Sequence, residues 1–177
     1  MTYYIGQVCG IAVTVLGIVY PLCRQKKWML ILSLLVNVLA GINVLLVGGF
    51  GSAVLLNLTA VLQIACTLWH FRSNTPIPLW EKILFLCLFI GLGMTGVAAA
   101  QGMARWLELL PVAAVIPFCI SVFVRDEQNT RKLMLINLVL WLIYYIAIGS
   151  TMVTAQSISL VTTVAALIRY RKKVDVK

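Results

Sequence analysis

Seven continuous apolar runs take up almost the whole sequence, at about 4–22, 28–47, 53–69, 83–100, 107–124, 133–148 and 152–168. Each is close to the roughly 20 helical residues that cross a hydrocarbon layer about 30 Å thick. Only helices and closed barrels satisfy their backbone groups inside such a layer, and a barrel strand alternates apolar and polar positions. These runs do not alternate. The expected fold is an all-α polytopic membrane protein of seven transmembrane helices, with loops too short to hold a soluble domain. Composition agrees: 62% of the 177 residues are hydrophobic and 11% charged, with a mean hydropathy of +1.03, whereas a soluble chain is about a quarter charged.

A net charge of +9 would suit nucleic acid if the cations formed a patch. They stand instead at the ends of the apolar runs, where Lys and Arg mark cytoplasmic segments. With the N-terminus outside, the inner segments hold Arg24, Lys26, Lys27, Arg72, Lys82, Arg125, Arg131, Lys132 and the tail Arg169, Arg171, Lys172, Lys173 and Lys177; the outer segments hold only Arg105. The expected topology is N-terminus out, C-terminus in. Trp28, Trp69, Trp80, Trp106 and Tyr170 fall near run boundaries, as interfacial anchors do. The N-terminus lacks a positive n-region and a cleavage site, so the first helix is expected to be retained. Cys9, Cys23, Cys66, Cys87 and Cys119 are odd in number and without metal-ligand spacing, and read as small packing residues.

Within the first run Gln7, Gly10, Thr14, Gly17 and Pro21 share one helical stripe, a pattern that lets a neighbouring helix approach closely. The second run holds Asn37 and Asn43, and the third Asn57, Thr59, Gln63 and Thr67. Asn57 points away from the face shared by Thr59 and Gln63, so only one of these sets is expected to face an interior pocket. Ser73 to Pro78 reads as an extended linker. The run 83–100 is dense in small residues, and Gly91, Thr95 and Ala99 are expected to pack against a neighbouring helix rather than line a cavity. Pro111 and Pro117 lie in the fifth run, and Glu108 near its start reads as a helix cap. The segment holding Arg125, Asp126, Glu127, Arg131 and Lys132 reads as a loop. In the sixth run Asn137, Trp141, Tyr144 and Tyr145 cluster on one face, and the seventh carries Gln156, Ser159, Thr162 and Thr163.

Shifted by about one hundred, the chain overlays itself. Asn37 meets Asn137, Gly49 meets Gly149 in an uncharged turn, Thr59 meets Ser159 and Gln63 meets Thr163. The expected organisation is 3+1+3: a first three-helix repeat at 1–72, a cytoplasmic connector and linker helix at 73–104, and a second repeat with the basic tail at 105–177. A three-helix unit ends on the opposite side from its start, so one extra crossing gives both repeats the same orientation. The run 83–100 matches nothing else and supplies that crossing.

This arrangement resembles the SWEET and PQ-loop transporters (MtN3-like), in which sugar carriers hold substrate between two three-helix units. The Pro-Gln dipeptide is missing: Leu22 follows Pro21 and Phe118 follows Pro117. The second and sixth runs have no proline, against the SWEET pattern. The SWEET asparagine on the third helix of each unit would correspond to Asn57, with Ser157 near that place in the second unit. Closer is the resemblance to the YgjV family of bacterial inner-membrane proteins. It rests on Glu108-Leu109-Leu110-Pro111, Trp141, Gly149-Ser150 and Ile168-Arg169, and implies a multi-pass protein of the bacterial inner membrane.

No charge lies near the middle of any run. There is no His or acidic cluster for a metal, no nucleophile beside a base and no phosphate loop; His70, the single histidine, sits at a boundary. Neither an enzyme nor a cofactor is expected. What remains is amides, hydroxyls and ring faces, suited to a neutral polar ligand. The expected substrate-binding residues are Asn37, Asn43, Asn57, Asn137, Trp141, Tyr144, Tyr145 and Ser159. The expected function is a facilitator-like transporter of a small neutral polar solute such as a sugar. The alternative is a non-transporting receptor or assembly protein, since receptors that retrieve proteins to the endoplasmic reticulum share this helix arrangement and fold alone does not fix function. Expected partners are the lipid bilayer and the neutral solute, with no nucleic acid; a homo-oligomer is left open.

Overall fold

The computed structural model describes residues 2–48, 52–147 and 152–170, and these are entirely helix and connecting turns. The helices are α1 (Thr2–Val19), closed by a 3-10 turn at Tyr20–Leu22, α2 (Lys26–Gly48), α3 (Ser52–Arg72), α4 (Leu79–Ala99), the short α5 (Met103–Leu107), α6 (Leu109–Phe123), α7 (Glu127–Ala147) and α8 (Met152–Arg169). Five stretches, in α2, α3, α4, α5–α6 and α7, are long and apolar enough to cross a membrane, while α1 and α8 offer shorter apolar segments at Val8–Leu22 and Val153–Arg169. The turn glycines Gly49 and Gly149, with Ser150, lie outside the described residues, as does the tail beyond Tyr170 and the side chain of Gln7.

Local chemistry sets the helix ends. Pro21 sits inside the 3-10 turn that ends α1; lacking an N–H, it cannot continue the α-helical ladder. Pro111 breaks the fifth run. A proline ring clashes with the carbonyl four residues earlier, which is that of Leu107, where α5 stops before α6 starts at Leu109. The charged segment expected to be a loop is already helical from Glu127. Asp126 Oδ2 accepts the backbone N–H of Asn129 at 2.8 Å, an N-cap, and Glu127 adds an acidic group to the first turn, where it favours the helix dipole. The connector turns at Asn74 (φ 51°) and runs extended into Pro78. His70, in the last turn of α3, closes it: Nδ1 lies 2.8 Å from Thr75 Oγ1, and Nε2 3.0 Å from Glu81 Oε2 at the start of α4.

The helices pack in sequence as α1–α2–α3 and α6–α7–α8; α8 returns to α1, α3 meets α6, and α4 wedges against both α3 and α6. The result is a closed ring. Its apolar core lies where α2, α3, α4 and α6 converge, on Leu30, Leu56, Ile64, Phe89, Phe118 and Val122, with Phe89 and Phe118 edge to face at 5.9 Å. Cys119 belongs to this core, whereas Cys66 and Cys87 are exposed. Trp28, Trp69, Trp80 and Trp106 are exposed near helix ends. Tyr170 departs from that group, its hydroxyl donating to the Leu22 carbonyl at 3.1 Å.

The small-residue face of α4 corrects the sequence expectation. Gly91, Thr95 and Ala99 are exposed, and a methyl group on Gly91 would meet nothing within 4 Å. The buried stripe is Phe85, Phe89, Gly93 and Val97, on the opposite face. The two phenyl rings supply the contact area, and Gly93 makes the hole that receives Val112: a Cβ there would stand 3.0 Å from Val112 Cγ2. Thr95 satisfies its hydroxyl on Leu92 O at 2.6 Å and needs no neighbour. Gly93→Leu should therefore destabilise by about 1–3 kcal/mol through overpacking, while Gly91→Leu should cost nothing measurable. Denaturant titration of both variants in detergent checks the contrast; equal effects would refute the assigned face.

Candidate functional site

The ring encloses a cavity of about 510 Å³, walled by α1, α2, α3, α6, α7 and α8, with Phe89 and Gly93 of α4 reaching it. All eight side chains singled out as binding candidates stand in its wall: Asn37, Asn43, Asn57, Asn137, Trp141, Tyr144, Tyr145 and Ser159. Gln156 and Thr163 join them; Thr59 and Gln63 do not. Those two are buried in helix seams, Thr59 on Leu55 O at 2.9 Å and Gln63 Nε2 on Cys119 O at 2.8 Å. Asn57 alone of that helix's polar set faces the interior, as the angular spacing requires. The stripe on α1 is both seam and wall. Gly10, Thr14 and Gly17 line the cavity, and a Cβ on Gly17 would lie 3.1 Å from Ser159 Oγ of α8.

The polar groups are partly committed to the protein. Asn37 Nδ2 donates to Ser33 O one turn back at 2.7 Å. Asn137 Nδ2 donates across to Ala114 O of α6 at 2.8 Å, beside the carbonyl of Ala113, which Pro117 leaves without its helical donor. Trp141 stacks on Tyr145 at 5.4 Å, and Tyr144 packs edge-on to both rings. The three rings form one side of the cavity.

Sequence reasoning assigned Glu108 to capping. Its side chain makes no cap hydrogen bond. The carboxylate lines the cavity and accepts the Tyr144 hydroxyl at 2.9 Å. Pro111 is the cause, since the helix break it imposes leaves Glu108 between α5 and α6. A carboxylate within an apolar run was the available signal.

The cavity ends before the basic end of the bundle, where α1, α6 and α8 finish and α2 and α7 begin. Tyr20, Ser33, Phe118, Met134 and Thr163 are the wall residues nearest that end. Within two turns beyond them lie Lys26, Ser121, Thr130 and Arg131, each no more than 4% exposed and none in the cavity wall. Lys26 Nζ donates to Ser121 O at 2.6 Å and Thr130 Oγ1 at 2.8 Å. Arg131 Nε donates to Pro21 O at 3.0 Å and its Nη2 to Cys23 O at 2.5 Å. Its guanidinium also lies 4.8 Å from the Tyr170 ring centre, a cation–π distance. Burial pushes the Cys23 thiol above its ordinary pKa, against the lowering effect of Arg131. Two cations read as topology signals are therefore a sealed crosslink. Lys26 reaches from α2 to α6 and α7, and Arg131 from α7 to the end of α1.

Among the described residues no three His, Cys, Asp or Glu side chains come together. Searches of curated proteins and of solved structures find no match. The family comparison does find one, over residues 4–174, and the chain belongs to the Imp-YgjV family of bacterial inner membrane proteins.

Proposed function

We propose that the protein is a carrier rather than an enzyme, moving a small polar solute across the inner membrane by alternating access between α1–α3 and α6–α8. The topology has seven crossings, N-terminus out and C-terminus in, with α4 as the linker. The observation that carries this reading is how the cavity is walled. Ser33, Val36, Asn37, Ala40 and Asn43 of α2 line it at the same spacing as Met134, Asn137, Leu138, Trp141 and Tyr144 of α7. Leu56, Asn57 and Ala60 of α3 likewise match Ala155, Gln156 and Ser159 of α8, so the walls align at shifts of 101 and 99, setting Asn37 on Leu138 and Ala60 on Ser159 in place of the residue pairs that a shift of one hundred gives. Matched positions supplying a single interior are what a duplicated three-helix unit with a substrate site at the repeat interface gives. The buried layer at the basic end then serves as the inner gate.

Amides, hydroxyls and rings suit a sugar-like solute, but the expectation of a wholly neutral one rested on an interior without charge. Glu108 removes that premise, so the solute is a small polar molecule that tolerates or uses one carboxylate. The test is uptake into proteoliposomes holding the full-length protein, with radiolabelled neutral and cationic solutes of this size. Saturable uptake of one class above protein-free liposomes is expected. No uptake of any class by demonstrably folded protein would refute the carrier.

A further inference from the structure

We propose that Glu108 and the Trp141–Tyr144–Tyr145 cluster form a subsite for the ammonium group of a small organic cation. This names the solute class within the carrier reading, and rests on it only for the transport consequence. Glu108 is the single charged side chain among the described cavity residues. Its carboxylate accepts a tyrosyl hydroxyl, and among the described residues it has no ion-pair partner. The buried cations at the basic end are bound to carbonyls and hydroxyls at the far side of the cavity and do not neutralise it. An ionised carboxylate offers about four acceptor positions, and Tyr144 occupies one.

The rings beside it supply the second half of the recognition. Tyrosine and tryptophan faces attract a cation within about 6 Å of the ring centre, more strongly where water is excluded. Tyr144 joins the two features, hydrogen-bonded to Glu108 and packed edge-on to Trp141 at 5.7 Å. Gln156, also in the wall, keeps a buried Oε1 with no hydrogen-bond partner, a further acceptor without a donor. A neutral sugar brings hydroxyl donors but leaves the carboxylate charge uncompensated. An ammonium group compensates it and meets the ring faces at the same place.

Calorimetric titration of purified full-length protein in detergent tests the subsite with choline, ethanolamine and 3,3-dimethylbutanol, the uncharged isostere of choline. At least one of the two cations should bind ten times or more tightly than the isostere, and which of them does so separates quaternary from primary ammonium recognition. Glu108→Gln keeps the side-chain shape and an oxygen for Tyr144, and should abolish that preference. The isostere comparison on the unaltered protein needs no variant to fold. Less than tenfold preference, binding of none of the three, or a preference that survives in folded Glu108→Gln would each overturn the subsite. If choline or ethanolamine binds with the preference but neither these nor any other solute of the panel is carried into proteoliposomes, the carrier reading fails and the subsite stands. If a neutral solute is carried equally by the unaltered protein and Glu108→Gln, the carrier stands and the subsite fails.

Discussion

Arg131→Met should destabilise the protein by about 3 kcal/mol, although the residue touches neither the cavity nor the apolar core. Hydrogen bonds from a charged group contribute roughly 1.5–3 kcal/mol each, and Arg131 makes two, to Pro21 O and Cys23 O, in a site where it is 2% exposed. Methionine fills much of the stem volume but leaves both carbonyls without a donor and removes the cation above Tyr170. Relief from burying a charge offsets part of this loss, which keeps the figure near the lower end of the sum. Arg131→Lys should not rescue it, because a compact ammonium cannot span two carbonyls and cover a ring together. Lys26→Met should cost less, about 1 kcal/mol, since an ammonium carries a larger desolvation penalty than a guanidinium. The two should couple, because Thr130, which accepts from Lys26, adjoins Arg131; residues in one network show coupling of about 0.5–3 kcal/mol. A double-mutant cycle by denaturant titration in micelles reads both terms. An Arg131→Met effect below about 0.5 kcal/mol would mean that the crosslink does not hold the halves together.

If the protein is the carrier proposed, Ala40→Trp should abolish uptake while the fold survives. Ala40 lines the cavity at the α2 position that matches Trp141 on α7. An indole there would occupy a large share of a 510 Å³ space and face the existing aromatic cluster. The added surface points into a void rather than a packed seam, so the usual overpacking penalty of about 1–3 kcal/mol should be largely absent. Solute uptake and thermal unfolding measured on one preparation check this. Retained uptake in a folded Ala40→Trp protein would place the solute path elsewhere.

What could be read from the sequence was what depends on local periodicity. The apolar runs locate the helices to within about four residues, except that α7 begins at Glu127, six residues ahead of its run, and Pro111 divides the fifth run into α5 and α6. The angular argument that put Asn137, Trp141, Tyr144 and Tyr145 on one face of α7 also put them in one wall, since all four positions belong to the same rigid helix. What could not be read depends on pairings far apart in the chain. Lys26 and Ser121 are separated by 95 positions and Arg131 and Pro21 by 110; nothing near either cation distinguishes a solvated topology signal from a buried crosslink. The face of α4 was misassigned for a related reason. Small residues permit close packing without requiring it, and the phenyl rings of Phe85 and Phe89 with the hole at Gly93 decided the contact. Glu108 was missed because a carboxylate near a helix start has a sufficient local explanation. Its real partner, Tyr144, lies 36 positions away.

The most direct test of alternating access is the sidedness of a cavity cysteine. With Cys9, Cys23, Cys66, Cys87 and Cys119 replaced, a single cysteine at Ser159, in the cavity wall, is exposed to a membrane-impermeant thiol reagent in right-side-out and inside-out vesicles. Labelling is expected from both faces, with the rate from the cytoplasmic face rising severalfold when Arg131→Met weakens the buried layer. Labelling from one face alone, unchanged by loss of Arg131, would contradict it and leave the cavity a one-sided pocket.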